Sequence, residues 1–142
     1  MKKRSIIGYT SGVFDLFHIG HVNILRQSKA LCDKLIVGVS TDELVYKYKN
    51  KYPVIPEKER LKIIKSIKFV NHAIYQDSMD KFINFKKLNF DIMFVGDDWY
   101  NNTKWNKLEL KFNKLGVKII YFPYTKSTSS TKINKILDSH KS

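Results

Sequence analysis

Short apolar runs alternate with longer amphipathic segments along this chain of 142 residues. The short runs are rich in Ile, Val, Phe and Tyr and are too brief for buried helices, which is typical of strands. Five strands are predicted: Ser5–Tyr9, Lys34–Val39, His72–Tyr75, Ile92–Val95 and Val117–Phe122. Strands that alternate with helices form parallel βαβ units. The sequence therefore predicts one α/β domain over residues 1–142, a doubly wound, Rossmann-like parallel sheet of about five strands with helices on both faces.

The segments between the strands carry helical patterns. Helices are predicted over His21–Ala30, Glu57–Ile67, Met79–Lys87 and Lys104–Lys114, with a short last helix over Thr131–Leu137. In the second of these, Leu61, Ile64 and Ile67 stand three apart and share one face. Pro56 indicates the start of that helix, and Gly116 indicates the end of the fourth. No low-complexity segment, repeat or linker divides the chain.

Composition narrows the classes of function. The chain has 26 basic and 13 acidic residues and a formal net charge of +13. Such a surface can bind nucleic acid, anionic lipid or a phosphorylated small molecule, although lysine-rich usage also follows from biased coding DNA. The single cysteine, Cys32, excludes an internal disulfide framework and a multi-cysteine zinc site. No apolar run has the length of a membrane span or a signal-peptide core, so we expect a cytoplasmic protein without membrane insertion.

Ligands of doubly wound sheets bind beyond the carboxyl ends of the strands. After the first strand, Gly12 is expected to permit a sharp exit, and Gly20 lets the backbone approach a ligand at the start of a helix. Unpaired N–H groups and the helix dipole favour an anion there. His18 and His21 flank Gly20 and could donate hydrogen bonds to phosphate oxygens as charge builds in a transition state.

The residues from Gly12 to His21 match every fixed position of the pattern Gly-x-Phe-Asp-x-x-His-x-Gly-His. The chain therefore resembles the nucleotidyltransferase superfamily, and within it the cytidylyltransferases that act on glycerol 3-phosphate. The resemblance covers nearly the whole chain. It implies that a substrate phosphate attacks the α-phosphorus of CTP in line and expels pyrophosphate, with no covalent enzyme intermediate. Mg²⁺ then arrives with CTP, and no metal ligands are expected from the protein.

The resemblance also assigns residues of the first turn. His18 and His21 are expected to be catalytic. Residues expected to bind the nucleotide are Gly12, Val13, Phe14 and Gly20.

Lysines follow the second strand and the segment Ser40–Glu43. Alone they would read as a solvated face, but relatives use such lysines to clamp substrate and nucleotide phosphates. Lys47 and Lys49 are better candidates than Lys51, with Lys49 catalytic and Lys47 at both nucleotide and substrate phosphates. Further candidates for the substrate phosphate are Arg60, Lys68 and Lys81. Lys68 stands where relatives have an arginine, and a lysine lacks that side chain's bidentate fork.

Two later corners complete the expected nucleotide site. The sequence Gly96-Asp97-Asp98-Trp99 follows the fourth strand, takes the form found in the cytidine-using relatives, and makes Asp98 a nucleotide-binding candidate. Hydroxyls after the last strand suit the β- and γ-phosphates at a helix start. Those candidates are Thr125, Ser129, Ser130 and Thr131. Tyr124 stands where relatives carry an arginine.

The favoured function is cytidylyl transfer from CTP to a small phosphorylated alcohol, glycerol 3-phosphate first, giving a CDP-alcohol and pyrophosphate. One alternative is a phosphocholine or phosphoethanolamine cytidylyltransferase. Another is an adenylyltransferase acting on a sugar phosphate or a pantetheine-like phosphate. A remote alternative is a basic nucleic-acid-binding protein, but the sequence has no helix-turn-helix, zinc finger or RNA-binding aromatic motif. The resemblance further implies a homodimer and a product used in cell-surface polymer synthesis.

Overall fold

A computed structural model describes residues 4–96 and 103–123 of the chain. Strands and helices alternate through these residues. The strands are β1 (Ile7–Gly12), β2 (Lys34–Ser40), β3 (His72–Gln76), β4 (Ile92–Gly96) and β5 (Lys118–Phe122). The helices are α1 (Ile19–Ala30), α2 (Asp42–Lys49), α3 (Glu57–Lys65), α4 (Lys81–Leu88) and α5 (Thr103–Lys114). The predicted helix Thr131–Leu137 lies outside the described residues.

The five strands form one parallel sheet in the order β3-β2-β1-β4-β5. This confirms the predicted α/β class and the Rossmann-like sheet. The chain builds outward from β1 to β3 and then crosses to the other side of β1 to form β4. The strand order therefore reverses between β1 and β4, which is where doubly wound sheets open a crevice for ligands.

β1 ends three residues later than the sequence indicates. Thr10–Gly12 reads as the beginning of a turn because its residues are small and polar, yet these residues pair with Val37–Val39 of β2. Pairing is available because β2 itself continues to Ser40. The turn that leads to α1 therefore begins at Val13, closer to the carboxyl edge of the sheet.

The sequence analysis missed α2. This helix has only eight residues, and both of its ends have ordinary signals: Leu44 N–H donates to the Oγ1 of Thr41 at 3.2 Å, and Asn50 takes the left-handed conformation at the end. The other predicted helices within the described ranges are present, with ends within two residues of the prediction.

The sheet is covered on both faces. On one face, Tyr9, Met93 and Phe112 are core residues, and side chains of α4 and α5 pack against them. The other face buries Leu25 of α1 and Ile64 of α3. Leu61 and Ile67 pack against this second cluster, as their three-residue spacing predicts. No helix of the described parts is long and apolar enough to cross a membrane.

Candidate active site

A cleft of about 920 Å³ opens at the carboxyl edge of the sheet. Its floor is formed by the ends of four strands, which contribute Ser11, Ser40, Gln76 and Gly96. Its walls come from the first turn and from α1, α2, α4 and α5. The cleft thus lies where the strand order reverses, and the fold alone would place a ligand there.

The two histidines of the first turn cap the start of α1. The N–H of Gly20 donates to Nδ1 of His18 at 3.1 Å, and the N–H of His18 donates to Nδ1 of His21 at 3.2 Å. The rings stack with centroids 4.0 Å apart. Because each Nδ1 accepts a hydrogen bond, the proton of each neutral imidazole is on Nε2. Both side chains therefore present an N–H donor away from the helix.

Burial keeps these imidazoles neutral. It lowers the pKa of His18, and burial together with the positive charge of a protonated His18 lowers the pKa of His21 to about 4. His21 lines the cleft, whereas His18 is not among the lining residues. Nε2 of His18 is buried and has no hydrogen-bond partner among the described residues. An unmet buried donor is costly, so this atom is ready to donate to a ligand oxygen.

Strain in the first turn lies at two larger residues and not at glycine. Phe14 and Leu16 have φ of 55° and 50°, a left-handed conformation that costs non-glycine residues on the order of 1 kcal/mol or more. Gly12 serves a different need from the expected sharp exit, because a Cβ there would lie 3.3 Å from the Phe14 ring. That ring meets His21 edge-on at a centroid distance of 5.5 Å.

Gly20 has a partner for its N–H within the protein, so that group is not left for an anion. Val13 lies in the cleft wall, and its carbonyl oxygen accepts a hydrogen bond from the Arg60 guanidinium. Of the first-turn residues expected at the nucleotide, Gly12, Val13 and Phe14 line the cleft, whereas Gly20 lies buried at the helix start.

Asp15 ties the first turn to the segment before α3. Its two carboxylate oxygens accept from the N–H groups of Val54 and Ile55 at 2.8 and 2.9 Å, and the side chain is buried. Sequence reasoning quoted this aspartate without giving it a role. Its position inside the matched pattern was the available signal.

The structure corrects the expectation that Arg60 contacts a substrate phosphate. Its side chain has 0% exposure, and all three guanidinium nitrogens donate to protein oxygens. The acceptors are Val13 O, Ser40 O, Ile55 O and Asp42 Oδ1. Arg60 therefore joins the first turn, the end of β2 and the start of α2, and it shapes the cleft from beneath.

Of the three candidate lysines after β2, the two that line the cleft are not the two that were favoured from the sequence. Lys49 lines the cleft as predicted, and so does Lys51, which was the weaker candidate. Lys47 is exposed and is not among the cleft-lining residues. The cause is α2: within a helix, residues two apart point in different directions, so Lys47 and Lys49 cannot share a face.

Lys68 lies at the wrong edge of the sheet for the expected phosphate contact. α3 runs back from the carboxyl edge, so a residue after its end and just before β3 lies near the amino edge. Lys68 is exposed, with its ammonium 5.2 Å from the centroid of the Phe69 ring. The structure therefore does not bring it to the cleft.

Lys81 does reach the cleft, from the first turn of α4. Its Nζ donates to Oγ of Ser11 at 3.1 Å, and burial lowers its pKa to about 8. A partly buried ammonium beside a helix start favours an anionic ligand. Two tyrosines that sequence reasoning did not assign, Tyr48 and Tyr52, line the same cleft.

Some expected site residues lie outside the described residues, and their roles stay predictions. These are Asp98, Thr125, Ser129, Ser130 and Thr131. Within residues 4–96 and 103–123, no group of three or more His, Cys, Asp or Glu side chains could hold a metal ion. The prediction that Mg²⁺ is carried by the nucleotide is not tested by this.

Comparison with known proteins supplies a family. A family model described as cytidylyltransferase-like matches residues 9–136. An FAD synthase of Thermococcus sibiricus is 34% identical over 137 residues, covering 96% of this chain and 93% of its own. A glycerol-3-phosphate cytidylyltransferase of Bacillus spizizenii is 37% identical over 127 residues, covering 89% and 92%.

A solved structure shares the fold. The crystal structure of a lipopolysaccharide core biosynthesis protein from Thermoplasma volcanium has a TM-score of 0.71 and 30% identity. It covers 88% of this chain and 100% of its own. The nucleotidyltransferase fold predicted from the sequence is thus confirmed by sequence and by structure.

Proposed function

Because the chain belongs to the cytidylyltransferase-like family of nucleotidyltransferases, we propose that it transfers a cytidylyl group from CTP to a small phosphorylated alcohol. Glycerol 3-phosphate is the favoured acceptor, as it is for the Bacillus spizizenii relative by its name. CTP enters as its magnesium complex, and the products are a CDP-alcohol and pyrophosphate.

The reaction needs one bond formed and one broken. An oxygen of the acceptor phosphate forms a bond to the α-phosphorus of CTP. The bond from that phosphorus to the oxygen bridging the α- and β-phosphates breaks, and its electron pair leaves with pyrophosphate. Negative charge builds on the oxygens around the α-phosphorus during this exchange. The protein's part is to hold both anions in line and to place donors where that charge grows.

The observation that carries the proposal is the tautomer of the histidine pair. Backbone N–H groups occupy both Nδ1 atoms, which leaves both Nε2–H groups as donors at the start of α1, where His21 lines the cleft. His18 Nε2 is buried without a partner in the described part of the chain. This supports a role in which His18 and His21 donate to α-phosphate oxygens, while Lys49, Lys51 and Lys81 attract the phosphates from the cleft walls.

CTP is favoured over ATP by the sequence that ends β4. Gly96 lines the cleft, and the residues Asp97-Asp98-Trp99 that follow it have the form found in cytidine-using relatives. The 37% identity to a cytidylyltransferase over 89% of the chain agrees with this choice.

A second candidate is adenylyl transfer from ATP to FMN. It is favoured by the FAD synthase of Thermococcus sibiricus, at 34% identity over 96% of the chain, and by an aromatic wall in the cleft. Tyr48 and Tyr52 line the cleft, and Tyr52 stacks on Tyr46 at 4.6 Å between centroids. Such rings could stack on a planar acceptor.

The test is pyrophosphate release by the purified protein from CTP or ATP, each with Mg²⁺ and each with a panel of phosphorylated alcohols and FMN. We expect turnover with CTP and a hydroxylated alcohol phosphate. A His18→Ala variant should lose about 10²-fold or more in kcat, whereas His72→Ala, an exposed histidine at the other edge of the sheet, should keep wild-type activity. Turnover with ATP and FMN but not with CTP would replace the first candidate by the second.

Three finer expectations stay proposals. The enzyme is proposed to act in the cytoplasm. It is also proposed to be a homodimer, and light scattering on a size-exclusion column tests this oligomeric state. Its CDP-alcohol is proposed to feed a transferase that builds a cell-surface polymer. The neighbour described as a lipopolysaccharide core biosynthesis protein supports that placement.

A further inference from the structure

The side-chain oxygen of Gln76, the last residue of β3, accepts hydrogen bonds from two other side chains. Its Oε1 accepts from the hydroxyl of Tyr9 at 2.6 Å and from Nδ2 of Asn84 at 3.1 Å. All three side chains are buried, with Gln76 only 3% exposed. Three elements, β1, β3 and α4, therefore fix the orientation of one amide.

The missing side chain of Gly38 makes this arrangement possible. A Cβ on Gly38 would lie 2.3 Å from the hydroxyl oxygen of Tyr9, so any other residue on β2 would block the path of the tyrosine to Gln76. Burial raises the pKa of Tyr9, and the hydroxyl therefore stays protonated and able to donate.

The nitrogen of the same amide has no hydrogen-bond partner recorded within residues 4–96 and 103–123. With Oε1 occupied, Nε2 of Gln76 carries two hydrogens for which no acceptor is found among the described residues, and Gln76 is part of the cleft lining. An amide N–H group in the lining of a cleft can donate to an oxygen of a bound ligand. Lys81, which donates to Ser11, lines the same cleft.

The position of Gln76 indicates which substrate it meets. Its strand lies on one side of β1, whereas the expected nucleotide residue Asp98 and the hydroxyls from Thr125 to Thr131 follow β4 and β5, the strands on the other side. Gln76, Lys81 and Tyr48 line the cleft and lie at the end of, or after, strands on the β3 side of β1, so we take them as candidates to meet the acceptor.

We propose that Gln76 determines acceptor specificity by donating from its Nε2 amide to a hydroxyl oxygen of the acceptor's alcohol, beside the Lys81 ammonium that holds the acceptor's phosphate. This inference rests on the proposed function, because it assumes that the second substrate is a phosphorylated alcohol. It excludes phosphocholine as a good acceptor. A trimethylammonium group has no lone pair for the amide, so binding it would leave Nε2 unmet.

The test compares two acceptor analogues by calorimetry, with a non-reactive CTP analogue present. Glycerol 3-phosphate and n-propyl phosphate have the same carbon chain, but the second lacks the hydroxyls. Wild-type protein should bind glycerol 3-phosphate about tenfold more tightly. In Gln76→Leu this ratio should fall to about two or less. Gln76→Glu, which keeps acceptors for Tyr9 and Asn84 but removes the donor, should lose the ratio in the same way.

Two controls separate recognition from structure. Gln27→Leu, on α1 and outside the cleft lining, should keep the wild-type ratio. Tyr9→Phe loosens the amide without touching the ligand and should give an intermediate ratio, with no further effect in a Gln76→Leu background. Equal binding of the two analogues by wild type, no binding of either, or an unchanged ratio in both Gln76 variants would overturn the inference. A preserved ratio without turnover from any nucleotide would instead refute the proposed function and leave the amide's role standing.

Discussion

The two nitrogens of each imidazole at the start of α1 do different things. Nδ1 caps the backbone, and Nε2 is left to donate to a ligand. Ordinary alanine variants of His18 or His21 would remove both functions at once. The amide side chains offer a cleaner separation, because an asparagine places an oxygen near the position of Nδ1 and has nothing near Nε2.

His18→Asn should therefore keep the helix cap and lose the donor. Asparagine is among the best N-cap residues, so the free energy of unfolding should change by less than about 1 kcal/mol. kcat should fall by about 10²-fold, with little change in the KM for either substrate. Urea denaturation and steady-state kinetics measure the two effects. A full-rate, well-folded His18→Asn enzyme would exclude transition-state donation by His18.

Burial of His21 makes stability depend on pH in the acid range. Its pKa is about 4 in the folded protein against 6.5 for a free imidazole, so the unfolded chain binds more protons between these values. The contribution of the buried, neutral His21 to the free energy of unfolding is fully present above pH 6.5 and is lost as pH falls toward 4. Urea midpoints should decline over that window and decline less in His21→Asn. An equal decline in both proteins would contradict the assignment.

Lys81 should limit activity on the alkaline side. Burial lowers its pKa to about 8, so the free enzyme loses this positive charge as pH rises through that value. kcat/KM for the acceptor should then fall, because this parameter reports the ionisation of the free enzyme. Lys81→Arg keeps the charge throughout and should flatten the profile between pH 7 and 9.5. An alkaline limb that persists in Lys81→Arg would assign it to another group.

At the scale of elements, Arg60 connects the first turn, the end of β2 and the start of α2, which are distant from it in the sequence. α3 carries it beneath the first turn, where it bonds Val13 and Ser40 and pairs with Asp42 at 2.6 Å. The starts of α2 and α3 are also linked, since Asp42 N–H donates to Glu57 and Glu57 N–H donates to Asp42. The shape of one cleft wall thus depends on a buried charge that touches no ligand.

Arg60→Met should destabilise the protein by about 3 kcal/mol or more, because it leaves several buried carbonyls and one carboxylate without their donor. Lys62→Met, an exposed lysine on the same helix, should change stability by less than about 0.5 kcal/mol. Chemical denaturation compares the two variants. Similar, small effects from both would show that Arg60 does not organise the cleft.

Element boundaries explain why some site residues escaped prediction. The class of each strand followed from its apolar run, but β3 was predicted to end at Tyr75, one residue before Gln76. A search just after each strand therefore begins at Gln76, but the sequence does not show that Tyr9 and Asn84, which are distant or on another element, hold its amide. Likewise, without α2 nothing in the alternating tyrosines and lysines could say that Lys49 would reach the cleft and Lys47 would not.

At the scale of the whole molecule, the predicted doubly wound sheet indicated that a ligand would bind beyond the carboxyl ends of the strands, and the matched pattern indicated the two histidines of the first turn. Burial and long-range pairing could not be predicted in the same way. Arg60 was expected at a substrate phosphate because of the resemblance, and the sequence does not show that the packing of α3 against β2 and the first turn buries its side chain. Lys68 looked near the site because sequence spacing does not show which edge of the sheet a residue occupies.

The fold places part of the net charge of +13 in the lining of the cleft. Among the described residues, Lys49, Lys51, Lys81 and Lys104 line the cleft, where two anionic substrates are proposed to meet. Attraction between anions and a positively lined cleft raises the rate of substrate encounter. The excess charge is therefore accounted for in part by the site and gives no separate argument for nucleic-acid binding.

The most direct test of the central claim is a competition reaction analysed by mass spectrometry. The protein is given equal CTP and ATP with Mg²⁺, together with both glycerol 3-phosphate and FMN, and the products are identified by mass. Our account predicts CDP-glycerol and pyrophosphate, and almost none of either with the His18→Asn enzyme. FAD as the main product, or CDP-glycerol formed equally well by the variant, would contradict it.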